Sequence, residues 1–216
     1  MKSDKHENID WLRFERELWH KGFRRVAGVD EAGRGPLAGP VVTAAVILRP
    51  GADLPGVVDS KRMTELQREE AFEYILKNCQ AAAVTAASAK MIDRINILRA
   101  TMLSMERSVN RLDQCADFVL VDGNRFPKDI MVTGEAVIGG DRLSRSIAAA
   151  SVIAKVTRDR LMRRLDRLYP QFGFARNKGY GTREHIRAIH KFGPTPHHRY
   201  SFNPVRQYRL SLEDEQ

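Results

Sequence analysis

Cysteine is scarce in this chain: Cys79 and Cys115 are the only two in 216 residues. They share no metal-ligand spacing and stand near no histidine cluster, so neither a zinc cage nor a disulfide framework is expected. Both read as small buried residues in a reducing cytoplasm. Long hydrophobic runs are missing too. No segment approaches the roughly 20 residues of a membrane span, and residues 1–9 are polar where a signal peptide carries its apolar core. A membrane span and a secretory leader are therefore not expected. Acidic residues are sparse in one region only. Residues 151–200 hold twelve Lys and Arg but just Asp159, Asp166 and Glu184, whereas the first 150 residues are nearly balanced. The formal charge of +9 is thus carried by one segment, which suits a polyanion such as nucleic acid better than a merely solvated basic face. The remaining composition, 43% hydrophobic and 29% charged, is that of an ordinary globular chain long enough for one well-filled core.

The most informative stretch is Val26 to Pro40, reading Val-Ala-Gly-Val-Asp-Glu-Ala-Gly-Arg-Gly-Pro-Leu-Ala-Gly-Pro. A short apolar run delivers Asp30 and Glu31 into a segment rich in glycine, and Val41 to Leu48 then reads as a second strand. Neighbouring strand residues point to opposite faces, so one carboxylate is expected where the chain leaves regular pairing. A solvated turn is the competing reading of Asp-Glu before glycine.

Along the chain, Asp10 is placed to cap a short helix carrying Trp11, Phe14 and Leu18, stopped by Gly22 and packed as a lid. Thr64 and Gln67 have the spacing of a capping box, ahead of a helix expected to bury Leu66, Phe72, Ile75 and Leu76 and to expose Glu69, Glu70 and Glu73. Ala81 to Ala89 reads as a strand. Ile95, Leu98, Met102, Met105, Val109 and Leu112 then fit one amphipathic helix. Asp117 to Val121 is a buried strand ending in Asp122-Gly123, a usual site position in open α/β sheets. Ile130 to Ile138 fits a further strand before Gly140-Asp141. Ser144 is expected to cap a long helix reaching Leu168 that lies close to the sheet through its alanines and serines and exposes Arg160, Arg163, Arg164 and Arg167. A shorter helix follows Thr182 and stops at Gly193-Pro194.

Four carboxylates thus stand at element boundaries: Asp30, Glu31, Asp122 and Asp141. Clustered carboxylates raise one another's pKa, so they stay ionised together mainly when a cation neutralises them. All-oxygen ligation suits Mg²⁺ or Mn²⁺, and two such ions about 3.5–4 Å apart serve phosphodiester hydrolysis.

The stretch from Val26 to Pro40 closely resembles the first motif of type 2 ribonucleases H in the bacterial ribonuclease HII form. The resemblance continues in order through Asp59-Ser60-Lys61, Val119 to Gly123, Gly140-Asp141, Ser146 to Ser151, Ala154 to Asp159, Asn177 to Thr182 and His197 to Phe202. It implies a ribonuclease-H-like α/β fold: a mixed five-stranded sheet flanked by helices, with a helical C-terminal extension. It implies a division into an N-terminal helical lead (1–25), a catalytic core (26–170) and a basic extension and tail (171–216) working as one unit with the core. It further implies two-metal hydrolysis of the RNA strand of RNA–DNA hybrids, and cutting 5′ of ribonucleotides embedded in duplex DNA. Asp30 would bridge both ions, Asp141 would complete the first site, and Glu31 with Asp122 the second. Gly33, Arg34 and Gly35 would read a ribose 2′-hydroxyl through backbone groups, Tyr180 would stack on the next sugar, and Ser60 and Lys61 would lie near the nucleic acid. A monomer is expected. Gln207, Leu210 and Leu212 resemble a peptide that binds bacterial sliding clamps. The rival readings are a related nuclease acting on DNA alone and a non-catalytic hybrid-binding protein.

Overall fold

The computed structural model describes residues 10–52, 54, 56, 57, 60 and 63–207. Its centre is a five-stranded sheet in the order β3-β2-β1-β4-β5, built from β1 (Val26–Ala32), β2 (Val41–Leu48), β3 (Cys79–Ala87), β4 (Phe118–Asp122) and β5 (Gly134–Val137). β1 runs antiparallel to β2 and parallel to β4; β2 with β3 is antiparallel and β4 with β5 parallel. The helices are α1 (Arg13–His20), α2 (Glu65–Asn78), α3 (Ala89–Ile95), α4 (Ile97–Asn110), α5 (Arg145–Leu168), α6 (Phe174–Asn177) and α7 (Arg183–Phe192). The mixed sheet, its flanking helices and the helical C-terminal part agree with the expected fold. Among the described residues, no helix is long and apolar enough to cross a membrane.

Period-two alternation sorts the sheet's faces. Ala27, Val29, Ala45, Ile47, Val119 and Val121 pack with Met105 and Val109 of α4. Gly28, Asp30, Leu120 and Asp122 therefore share the opposite face, where α5 lies. The helix comes very close there: a Cβ on Gly28 would stand 2.1 Å from the Ser146 carbonyl carbon. Ala148, Ala149 and Ala150 are fully buried, small enough for that approach. Ser144 caps α5, its side chain accepting from the Ile147 amide, as expected.

α1 packs Leu18 and Phe14 against Val26, Phe118, Leu120 and Ile147, which makes it the expected cover. Its cap differs from expectation. Leu12 occupies the N-cap position, and Asp10 instead accepts from the Leu12 amide. A more consequential contact is Glu15, buried, whose Oε1 accepts from the Ser144 and Ser146 hydroxyls and from the Ser146 amide at 2.6, 2.7 and 2.8 Å. A carboxylate at the positive end of a 24-residue helix is favourably placed.

Other departures have local causes. The single helix expected over 95–112 breaks at Asn96, which adopts φ 65° and caps α4 by accepting from the Arg99 amide at 3.0 Å. The capping box of α2 is present, but Leu66 is 69% exposed and Leu76 44%; the buried residues are Ala71, Phe72 and Ile75. Glu65, Glu69 and Glu73 recur every four residues, so they form one stripe, and that stripe meets Arg160 and Arg163 of α5. The Arg160 guanidinium also lies 4.3 Å from the centre of the Phe72 ring. The final strand is limited to Gly134–Val137. Cys79 is partly buried and Cys115 exposed, so neither is the fully buried residue expected.

Candidate active site

Both carboxylates of the first motif remain inside β1, against the expectation that one would leave it. Asp30 stands opposite Ala44, Glu31 opposite Thr43 and Ala32 opposite Val42. The departure occurs on the other edge, where pairing with β4 ends at Val29 opposite Val121. Continuing that register sets Asp30 beside Asp122 at the carboxyl ends of two parallel strands and on the same face. Electrostatics agrees. Burial pushes the Asp30 carboxyl well above its usual range, and the Glu31 and then the Asp122 charges push it further. The Glu31 amide, donating at 2.6 Å, and Ser151 of α5 partly offset this.

Asp30, Glu31 and Asp122 line one cleft of about 250 Å³ together with Gly33, Arg34, Gly35, Ser60 and Tyr180. Asp141 is buried in the turn Gly140–Arg142, where its amide points to Asp122 Oδ1 at 3.4 Å and its Oδ1 lies 3.9 Å from Arg142 Nε. It adjoins the cleft without lining it. Among the described residues, no three carboxylate, imidazole or thiol groups converge closely enough to form a complete ion cage. The donors that do line the cleft are nevertheless oxygens on mutually repelling groups, and Asp30 carries an electrostatic penalty that a hard cation would relieve. The residues fit such an ion.

Ser60 Oγ lies 2.8 Å from Ser151 Oγ, linking the segment before α2 to the helix beside Asp30. Lys61 falls outside the described residues. Three further cleft residues, Ser151, Lys155 and Arg158, went unassigned by sequence reasoning. Their spacing of four and then three places them on one face of α5, and that periodicity was the available signal.

The opposite wall is backbone. Gly33 has φ +96°, and a Cβ there would stand 1.9 Å from Arg158 Nε, so only glycine fits. Arg158 Nε donates to the Pro40 carbonyl at 3.0 Å, and its Nη2 to that of Ala38 at 3.2 Å. Arg199, fully buried, donates to the carbonyls of Gly33, Arg34 and Gly39. Its burial, and next the Arg158 charge, lower its pKa to about 9. Two cations of the basic segment are therefore internal struts. Arg160 and Arg163 are engaged by α2 glutamates, and of the four arginines expected outside only Arg164 and Arg167 are exposed.

Tyr180 is 49% exposed, and its Cε1 lies 3.7 Å from where a Gly35 Cβ would stand. Its carbonyl accepts from His185 Nδ1 at 2.8 Å. That fixes the tautomers: His185 Nε2 is left to accept from His198 Nε2 at 3.0 Å, and His198 Nδ1 accepts from the Thr195 amide at 2.9 Å. Both rings are neutral in this chain of bonds. Burial lowers the pKa of each, and burial followed by the charge of His185 takes His198 to about 4.

The chain is similar to known proteins in sequence and in fold. A family model described as Ribonuclease HII matches residues 27–205. The Ribonuclease HII of Coxiella burnetii (strain RSA 493 / Nine Mile phase I) is 53% identical over 190 residues, 88% of this chain and 94% of that protein. The structure of ribonuclease H2 from Pyrococcus horikoshii OT3 superposes with a TM-score of 0.74 at 27% identity, covering 88% of this chain and 99% of that one. The ribonuclease HII seen in a complex with PCNA from Archaeoglobus fulgidus gives 0.69 at 27% identity, covering 83% and 95%.

Proposed function

The chain belongs to the ribonuclease HII family, type 2 ribonucleases H that cut RNA paired with DNA, and from that premise we propose how this cleft performs the reaction. Asp30, Glu31 and Asp122, with Asp141 beside them, are the residues that would hold Mg²⁺ or Mn²⁺, two ions in the active complex. The chemistry such ions supply when bound is activation of water and stabilisation of the leaving oxygen. The protein's own part is to gather the carboxylates on adjacent strand ends, with Ser151 steadying Asp30, and to present the substrate to them. The amides of the Gly33-Arg34-Gly35 loop read the ribose 2′-hydroxyl, and Tyr180 stacks on the sugar of the following deoxynucleotide. Ser60, in the cleft, contacts the nucleic-acid strand, and Lys61, outside the described residues, is proposed for the same contact. The cut falls 5′ of the ribonucleotide and leaves 3′-hydroxyl and 5′-phosphate ends.

The observation that carries this reading is the meeting of Asp30, Glu31 and Asp122 with Gly33, Gly35 and Tyr180 around one cleft. A nuclease for DNA alone needs the carboxylates but not the glycine loop facing a tyrosine. Residues 171–216 are read as working with the core, since Leu37 and Ala38 share an apolar cluster with Phe172, Phe174 and Ile189. The segment with Gln207, Leu210 and Leu212 is proposed for clamp contact; Leu210 and Leu212 lie outside the described residues. The deciding experiment incubates the protein with Mg²⁺ and three duplexes: one with a single ribonucleotide, an RNA–DNA hybrid, and DNA only. Cleavage of the first two, mapped 5′ of the ribonucleotide, is expected. Equal cleavage of the DNA duplex would remove the role given to the loop.

A further inference from the structure

Arg199 is fully buried and does not line the cleft, yet it holds the loop Gly33 to Gly39 at three carbonyls. Nη2 donates to Gly33 O at 2.6 Å and to Gly39 O at 2.9 Å, Nη1 to Arg34 O at 2.7 Å, and Nε to Gly39 O at 3.1 Å. A trans peptide puts its C=O and the following N–H on opposite sides of the chain, and the cis bond identified in the structure is Asn203–Pro204, far along the sequence. Drawing the Gly33 carbonyl inward therefore turns the Arg34 amide outward. Drawing the Arg34 carbonyl inward does the same to the Gly35 amide. Gly33, Arg34 and Gly35 line the cleft and Arg199 does not, so we read the side of the loop away from Arg199 as the side that faces the cleft.

The backbone that carries the guanidinium is itself tethered. Asp93 of α3 accepts from the Tyr200 and Ser201 amides at 3.0 and 2.9 Å and from the Ser201 hydroxyl at 2.6 Å. The Arg199 amide donates to Leu37 O at 2.8 Å. The Phe202 ring lies 5.1 Å from the guanidinium. Sequence alone offers no hint of this, because residue 199 is separated from the loop by more than 160 positions.

We infer that Arg199 is a positioning residue for ribonucleotide recognition: by taking the carbonyls of Gly33 and Arg34, it aims two consecutive loop amides at the ribose hydroxyl. The inference rests on the reading of the loop proposed above. Lysine keeps the charge but lacks the planar fork, so one ammonium cannot hold the three carbonyls in this arrangement.

The test measures discrimination rather than activity alone. In Mg²⁺, KM is determined for a duplex with one embedded ribonucleotide, and Ki for the all-DNA duplex of the same sequence as competitor. The parent's ratio Ki/KM reports how strongly the hydroxyl is read. Arg199→Lys is expected to lower that ratio about tenfold to a hundredfold, the weight of one or two hydrogen bonds, with Ki unchanged. A general loss of structure would lower the melting temperature and kcat but leave the ratio in place. Asp93→Asn loosens only the tether and is expected to lower the ratio by a smaller factor; it decides the matter if Arg199→Lys does not fold. A folded Arg199→Lys with the parent's ratio overturns the inference, as does an unchanged ratio in Asp93→Asn when the lysine variant fails to fold. A parent whose Ki and KM are equal overturns instead the reading of the loop on which the inference stands.

Discussion

The two walls of the cleft are built in opposite ways. On one, Asp30, Glu31 and Asp122 present side chains from strand ends, and their backbone is occupied by the sheet ladder. On the other, the proposed functional atoms belong to the backbone of Gly33 to Gly35, which Arg199 holds at the Gly33 and Arg34 carbonyls, while Arg158 holds the chain just beyond at Ala38 and Pro40 and His185 holds the Tyr180 carbonyl. The first wall concentrates negative charge that a cation would relieve. The second uses buried groups bonded mainly to backbone carbonyls and amides and, for the two histidines, to each other. A wall of side chains fails when a residue type changes, whereas a wall of backbone fails when its support or its φ changes.

The largest expected effect lies on the first wall. Asp30→Asn should lower kcat about a thousandfold or more, about 4 kcal/mol in barrier, because the most buried of the cleft carboxylates is lost as a cation ligand. The same variant should melt, in the absence of divalent cation, at or above the parent's temperature, since it removes a buried charge repelled by Glu31 and Asp122. Rate and melting curve together check this. A marked drop in melting temperature would mean that Asp30 holds the fold rather than the ion.

On the second wall, two neighbouring glycines should separate support from recognition. Gly33→Ala must accommodate both a φ of +96° and a Cβ at 1.9 Å from Arg158 Nε, and is expected to destabilise the protein by about 1–3 kcal/mol. Gly35→Ala meets nothing nearer than Tyr180 Cε1 at 3.7 Å. It should fold as the parent does and lose cleavage of the single-ribonucleotide duplex through substrate contact alone. Tyr180→Ala, at a half-exposed position, should likewise melt normally and lose about tenfold to a hundredfold in activity, a stacking contribution of about 1–3 kcal/mol. Denaturation and cleavage assays on the three variants would reveal whether the wall divides this way.

The supports of the second wall carry a pH signature. His198 has a folded pKa near 4 against an ordinary value of 6.5, so the unfolded chain binds the extra proton first. Stability from its neutral form is fully present above about 6.5 and is lost as pH falls toward 4, on the order of 3 kcal/mol in total. His185, shifted in the same direction, adds to this loss. Replacing His198 with Gln should flatten that acid limb of a melting-temperature profile. An unchanged limb would place the acid sensitivity elsewhere.

The same contrast explains what the sequence revealed. The carboxylate wall was legible because Asp30, Glu31 and Asp122 sit at the ends of apolar runs, where residue type and strand period together betray a site. The sheet and the long α5 were legible from periodicity and from Ser144 as a cap. The backbone wall showed itself only as glycines. Of its supports, Arg158, Arg199 and His198 showed only as members of motifs and His185 not at all, since nothing local marks a guanidinium or imidazole as buried. Of the α2 glutamates expected outside, Glu70 and Glu73 are exposed, but the pairing of these glutamates with α5 was not legible. Glutamates at four-residue spacing look solvated, yet they face the arginines of α5.

The acidic stripe of α2 sets the smallest effect. Each phosphate contact adds about 0.9 to the slope of log affinity against log salt, so a cation that touches nucleic acid can be counted. Arg163 belongs to the basic segment, but its guanidinium is bound to Glu65 and, at 2.6 Å, to Glu69. Taking up a phosphate would require giving up both glutamates. A partly exposed ion pair of this kind contributes only about 0–1 kcal/mol to stability, and the net local charge it offers a polyanion is close to zero. Arg163→Gln should therefore leave the salt slope for duplex binding unchanged within error, and the melting temperature nearly so. Arg164→Gln with Arg167→Gln, at exposed positions on the same helix, is the matched comparison. If those two change the slope and Arg163 does not, the basic segment divides into cations that meet nucleic acid and cations that hold α2. A fall of about 0.9 in the Arg163→Gln slope would show instead that the glutamates release the arginine when substrate arrives.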